Sequence, residues 1–301
     1  MATAIILSQR DLSLLRLLSW TPATTALVLR ASTAFDGDPF LDERRVRERL
    51  QTLAKAGLVR AWSAALPRGG LQNYYKLSVA GYQAVAGVDA DLPPRTIFAE
   101  ISPSLFEHTM RLAESIVETV RACAQQRITI VRVFRENELT FTAGREQVQP
   151  DCFFRLQSAG KPFNFAFEVD QSTESLDSFA SNSIRTKLRI YDAYQERTLE
   201  DWRAYGKAWE RPRYRVVFLT RTVERAYHIL ALAKRITSNP SRRLVYATTL
   251  DAYLSESDPL RSALFLDHDG CWRPLIDHHP SASVLRSPVR LPTVMEPGSP
   301  F

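Results

Sequence analysis

Gln149-Pro150-Asp151 is followed, after a short hairpin, by Phe163-Asn164-Phe165-Ala166-Phe167-Glu168-Val169-Asp170-Gln171, and this second segment alternates strictly. Phe163, Phe165, Phe167 and Val169 are expected on one face of a strand, and Asn164, Ala166, Glu168 and Asp170 on the other. Two carboxylates therefore sit side by side at the end of a strand otherwise built for a core. If the strand carrying Asp151 pairs with it as a hairpin, three acids converge. At roughly 4 Å two like charges repel by about 4 kcal/mol at an effective dielectric near 20. Such a cluster must hold a proton, a nearby cation or a divalent metal. The bland alternative is a set of acids exposed at strand ends.

A chain of 301 residues is long for one domain and comfortable for two. With 45% hydrophobic residues and a mean hydropathy of -0.20, it has apolar material for two cores. No apolar run reaches the ~18 residues needed to span a bilayer, and no membrane partner is expected. Met1 to Leu7 lacks a basic region and a small-residue cleavage site, so a secretory leader is not expected either. Cys123, Cys152 and Cys271 match neither a zinc pattern nor a disulfide framework, and a cytoplasmic protein is expected. A net charge of +6 favours a polyanionic partner only weakly by itself.

The first ninety residues place that charge. Leu12, Leu14, Leu15, Leu17 and Leu18 give a helical face behind Ser8 as N-cap, and Ala23 to Ala31 reads as a second helix. A third helix starts near Asp42, with Val46, Leu50 and Leu53 as its buried stripe and Gly57 at its C-cap. Two strands around Pro67-Arg68-Gly69-Gly70 follow, then a short helix capped by Ser78. The stretch from Arg49-Leu50 through Gly57-Leu58-Val59 to Tyr75, Leu77 and Gly81 resembles bacterial winged-helix regulators. Between Asp42 and Lys76 stand Arg44, Arg45, Arg47, Arg49, Lys55, Arg60, Arg68 and Lys76 against Asp42, Glu43 and Glu48. Double-stranded DNA is the expected partner, because the excess falls on the helix that enters a major groove and on the wing. Of these, Arg44, Arg45, Arg47, Arg49, Arg60, Arg68 and Lys76 are the expected DNA contacts. A solvated helix face, or a winged helix reused for protein contacts, stays open.

Beyond a linker at Asp91-Leu92-Pro93-Pro94, the order reads helix (Leu105 to Gln125), strands at Ile128 to Phe134, Asp151 to Leu156 and up to Asp170, helix (Glu174 to Arg197), strand (Tyr214 to Leu219), helix (Val223 to Ile236) and strand (Leu244 to Thr248). This order resembles the restriction-endonuclease-like core, whose signature sets one acid at a strand start and an acid and a lysine two apart on the next. Pro150-Asp151 and Glu168 match the acids, but Asp170 stands where the lysine belongs. Lys187 can replace it from the following helix, since Ile184, Lys187, Leu188 and Tyr191 share one face; the bland reading of Lys187 is snorkelling to the surface. Adding Leu105-Phe106-Glu107-His108 and Lys187-Leu188-Arg189-Ile190-Tyr191, the chain up to about Asp277 resembles the replication-relaxation family of plasmids and mobile elements.

The α/β architecture so implied is a winged helix-turn-helix over 1–93, a nuclease-like domain over 94–280 and a flexible Pro-rich tail over 281–301. The resemblance implies a mobile-element protein that binds DNA specifically and nicks or cuts it, or an inactive regulator or relaxosome accessory on the same fold. In the enzymatic case Asp151, Glu168 and Asp170 hold Mg²⁺ or Mn²⁺, Lys187 faces the developing phosphorane charge, and Gln171 orients the water. Asp170 weighs against it, because the usual positive charge is lost there. Tyr191 and Tyr194 permit a covalent tyrosine route in principle, with ordinary packing as the alternative. Other relaxosome or mobile-element proteins are implied partners, and a homodimer is left open.

Overall fold

A computed structural model describes residues 5–66, 69–181, 183–205, 213–239, 241–277, 289 and 291. The chain divides into two compact units, 1–125 and 126–301.

In the first unit, Ser8 and Asp11 close a capping box on α1 (Gln9–Trp20). The short strand β1 (Ala23–Thr24) runs into α2 (Thr25–Ala31), capped by the Thr24 side chain. Asp42 caps α3 (Glu43–Lys55), where its carboxylate accepts from Arg45 N at 2.9 Å. Val46, Leu50 and Leu53, spaced for one face, are fully buried. Gly57 takes a φ of +76°, a left-handed conformation in which a Cβ is strained, and the chain reverses there into β2 (Val59–Ala65). β2 pairs antiparallel with β3 (Leu71–Leu77) from Val59↔Leu77 to Ala65↔Leu71, and β1 adds to the far side of β3. Ser78 caps α4 (Val79–Ala86). These helices and the three-stranded sheet follow the element order expected for the first ninety residues.

The long helix α5 (Pro103–Gln125) belongs to this first unit, where Ala113 and Val117 join the core of Leu14, Val28 and Leu50. Glu118 on α5 pairs with Arg30 of α2. A boundary at 93/94 assigns this helix to the other half. Periodicity shows that a helix has a buried face, but not what covers it.

The second unit is built on a seven-stranded mixed sheet. Its members are β4 (Thr129–Arg135), β7 (Cys152–Ser158), β8 (Lys161–Asp170), β9 (Arg215–Thr220), β10 (Val245–Thr249), β11 (Phe265–Asp267) and β12 (Trp272–Arg273), in the order β12-β11-β10-β9-β8-β7-β4. β4, β7 and β8 form an antiparallel meander, and β9 and β10 continue parallel to β8. A separate hairpin, β5 (Phe141–Ala143) and β6 (Glu146–Val148), interrupts the run between β4 and β7. The helix α6 (Ile184–Tyr205) follows β8, α7 (Val223–Ile236) follows β9, and α8 (Leu250–Ser255) follows β10. Up to β10, and apart from the β5–β6 hairpin, this is the element order read from the sequence. Ala166, Phe153 and Phe218 pack with Leu188 and Tyr191 of α6 and Ile229 of α7 in one core cluster. Phe154, Phe167, Tyr253 and Phe265 form a chain of ring contacts. With both faces covered, β8 reads as nearly continuous burial.

The helix expected from Glu174 begins instead at Ile184. Near the end of the chain, Val289 N donates to Gly270 O at 2.8 Å, and Val289 and Leu291 pack on the core. The other residues expected as a tail over 281–301 lie outside the described ones.

Candidate phosphodiester site and DNA-facing helix

Alternation along β8 turns Glu168 and Asp170 toward the face covered by α6 and α7. Cys152 pairs with Phe167, so continuing that register by one residue sets Asp151 opposite Glu168. Asp151 is held there by the Val169 N–H, which donates to its Oδ2 at 2.6 Å. Residue 168 is almost wholly buried, with 3% of its side chain exposed. Burial raises its carboxyl to about 7; Lys187 pulls it down, and the Asp151 charge adds to the rise.

Lys187 and Tyr191 lie one turn apart on α6 and both reach Glu168. Lys187 Nζ donates to Glu168 Oε2 at 2.9 Å and meets Glu174 Oε1 at the same distance, while the Tyr191 hydroxyl donates to Glu168 Oε1. Burial alone lowers the proton affinity of Lys187, but Glu168, Asp151 and Glu174 outweigh it and raise it. Lys187 is therefore an ammonium held among acids. It does not snorkel.

Asp170 is committed elsewhere. Arg225 grips it in bidentate fashion, Nε to Oδ2 at 2.8 Å and Nη2 to Oδ1 at 3.1 Å, and also donates to the Glu174 carbonyl at 2.8 Å. Asp170 is thus charge-paired with Arg225 rather than with Lys187. No sequence signal singled out Arg225, which stands in the first turn of α7 and meets β8 only through the parallel β8–β9 pairing. Gln171 has a buried Nε2 without a hydrogen-bond partner beside these groups. Tyr191 is fully buried, and burial followed by the Glu168 charge holds its phenol well above the usual range, which opposes a nucleophilic phenolate. Tyr194 packs edge-on against Phe141. Tyr191 is a core residue, and Tyr194 is partly buried against the same core.

Among the described residues no three Asp, Glu, His or Cys side chains form a group that could hold a metal ion. A hard ion such as Mg²⁺ needs only one or two carboxylates, with water and substrate phosphate completing its shell. Asp151 and Glu168 meet that requirement, since each carboxylate oxygen can accept a second partner. Asp151, Glu168 and Glu174 lie about the single Lys187 ammonium. A cavity of about 510 Å³ lined by Asn164, Arg213, Arg215 and Arg243 lies toward the opposite ends of β8 and β9, away from these acids.

On α3 the expected DNA contacts separate into two groups. Arg44 and Arg45 are 81% and 67% exposed beside Glu48, and Arg47 and Arg60 are exposed as well. Arg49 instead chelates the buried Asp11, Nε to Oδ1 at 2.6 Å and Nη2 to Oδ2 at 2.5 Å. Lys76 is buried and donates to the carbonyls of Thr96 and Ala99 at 3.1 and 2.6 Å. The structure thus gives Arg49 and Lys76 internal partners, whereas Arg44, Arg45, Arg47 and Arg60 stay exposed. Counting charge along a helix does not reveal which turn faces the core. Arg68 lies outside the described residues.

A comparison with curated proteins finds no match. Among solved structures the chain is similar to restriction endonuclease FokI at 9% identity, over 82% of this chain and 43% of that chain, with a TM-score of 0.26. The family model described as Replication-relaxation matches residues 15–209, well over half of the 301. With that match on top of the winged helix, the Pro-Asp strand and the Lys-Leu-x-x-Tyr helix, the chain belongs to the Replication-relaxation family.

Proposed function

We propose that this is a DNA-processing protein of a mobile element, in which the first unit binds duplex DNA and the second cleaves a phosphodiester in a metal-dependent reaction. One observation carries the reading: the Lys187 ammonium stands 2.9 Å from Glu168, opposite Asp151. An acid, a second acid and a lysine are thereby assembled although the lysine's usual position holds Asp170. The objection that Asp170 adds negative charge loses force, because Arg225 neutralises it.

Asp151 and Glu168 would hold Mg²⁺ or Mn²⁺, which when bound polarises the phosphate and acidifies a water. Lys187 lies within reach of charge developing on the phosphate oxygens. Tyr191 fixes the Glu168 rotamer from the core side. Gln171, with its amide unsatisfied, is placed to orient a water. Arg44, Arg45, Arg47 and Arg60 supply phosphate and base contacts, so duplex affinity should fall steeply with salt. Proteins of the same element acting at the same DNA site are the partners this reading implies.

A binding-only regulator is the second reading, favoured by the internal bonding of Glu168 and Asp170. Nicking of supercoiled DNA carrying the element's own origin, in Mg²⁺ or Mn²⁺ against EDTA, separates the two. Open-circle product lost in folded Asp151→Asn and Glu168→Gln variants is the expected result. Tight, salt-sensitive binding without cleavage in any metal overturns the enzymatic reading.

A further inference from the structure

The segment between β8 and α6 presents one aromatic ring to solvent. Phe179 is 80% exposed. A single exposed phenylalanine is ordinary by itself; this one is set apart by the framed loop that carries it and the cation against its face. The bracing is extensive. Arg225 holds the Glu174 carbonyl, Ile184 N donates to Ser175 O at 3.0 Å, and Arg185 N donates to Leu176 O at 3.1 Å. Ser183 Oγ donates to Ser178 O at 2.6 Å, and Leu176 packs on the core. The ring is therefore held outward by a framed loop.

Its surroundings are cationic. The Arg185 guanidinium lies over the ring, 4.7 Å from its centroid, and Arg185 and Arg235 share the single carboxylate of Asp177. The loop is also continuous with the site, since Glu174 touches Lys187 and Asp170 directly precedes it. A flat apolar face, backed by arginine on the loop between Asp170 and the helix of Lys187, matches the chemistry of a nucleobase and its phosphate. Bases inside a duplex have their faces occupied by neighbours, so the fitting ligand is an unpaired one.

We infer that Phe179, backed by Arg185, is a stacking subsite for an unpaired nucleobase on the loop that joins Asp170 to the helix of Lys187. This rests on the DNA-cleaving reading for its purpose, but not for its detection. The test is binding in EDTA, where no metal-dependent cleavage intervenes, of a single-stranded oligonucleotide carrying 2-aminopurine and of a fully paired duplex. Phe179→Ala is expected to weaken single-strand affinity roughly five- to a hundredfold and to abolish the quenching of 2-aminopurine by stacking. Phe179→Trp is expected to retain both, and duplex affinity to stay unchanged in each. Unaltered single-strand affinity and quenching in Phe179→Ala overturns the subsite, even if the wild-type protein nicks DNA. A clear loss in Phe179→Ala upholds it, even if nicking is never found and only the enzymatic reading falls.

Discussion

Arg49 and Arg45 differ by four positions on one helix and have opposite fates. Arg49 neutralises a carboxylate that is 1% exposed, whereas Arg45 stands in solvent. Removing one partner of a buried pair costs about 3–5 kcal/mol, against little for an exposed charge. Arg49→Ala is therefore expected to lower the stability of the first unit by about 3 kcal/mol in urea unfolding. Arg45→Ala and Arg47→Ala should weaken duplex binding with unchanged unfolding; intact affinity in both would show that α3 is not the DNA-facing helix. The same pair sets a pH dependence. Burial works to raise the Asp11 carboxyl, but hydrogen bonds from Arg49 and Ser8 prevail and hold it below the ordinary carboxylate range. Its contribution is fully present above about pH 4, near the unfolded value, and is lost as pH falls through the lowered folded one. The stability gap between wild type and Asp11→Asn should therefore shrink between pH 6 and strongly acidic solution, and a constant gap would contradict this. At the other site, Lys187→Met leaves Glu168 buried beside Asp151 and Glu174 without its cation. A loss of about 3 kcal/mol or more is expected, largely recovered by adding Glu168→Gln, with nicking absent in both.

At the scale of elements, caps and stripes were legible and junctions were not. Ser8, Asp42 and Ser78 all cap helices where their side chains announce them. The helix expected from Glu174 starts ten residues later, at Ile184. The intervening loop keeps its own tertiary bonds, Glu174 to Arg225 and Asp177 to Arg235, which local propensity cannot register. Gly81 shows a tight junction of another kind. A Cβ there would lie 1.9 Å from the Leu58 carbonyl oxygen, so α4 can approach the start of the wing only at glycine. Gly81→Ala should destabilise the first unit by about 1–3 kcal/mol despite alanine's better helix propensity. A stabilised variant in thermal unfolding would mean that α4 sits further from Leu58.

At the scale of the molecule, the division at 125/126 carries a consequence for truncation. A fragment of residues 1–93 lacks Ala113 and Val117 and uncovers the core they help fill, whereas 1–125 keeps it whole. The longer fragment should unfold cooperatively and bind duplex DNA, and the shorter should be markedly less stable. Equal stability would show that α5 contributes nothing to the winged helix. By itself the sequence determined the element types, the strand alternation of 163–170, the helical stripes and the candidate side chains Asp151, Glu168 and Lys187. Those are local properties, written in period and residue chemistry. Only tertiary structure decided that Arg225 takes Asp170, that Arg49 and Lys76 turn inward, and that α5 joins the first core. Each depends on a partner far away in the chain. A buried charge is matched by whichever opposite charge the fold brings within about 3 Å, and spacing along the chain says nothing about that.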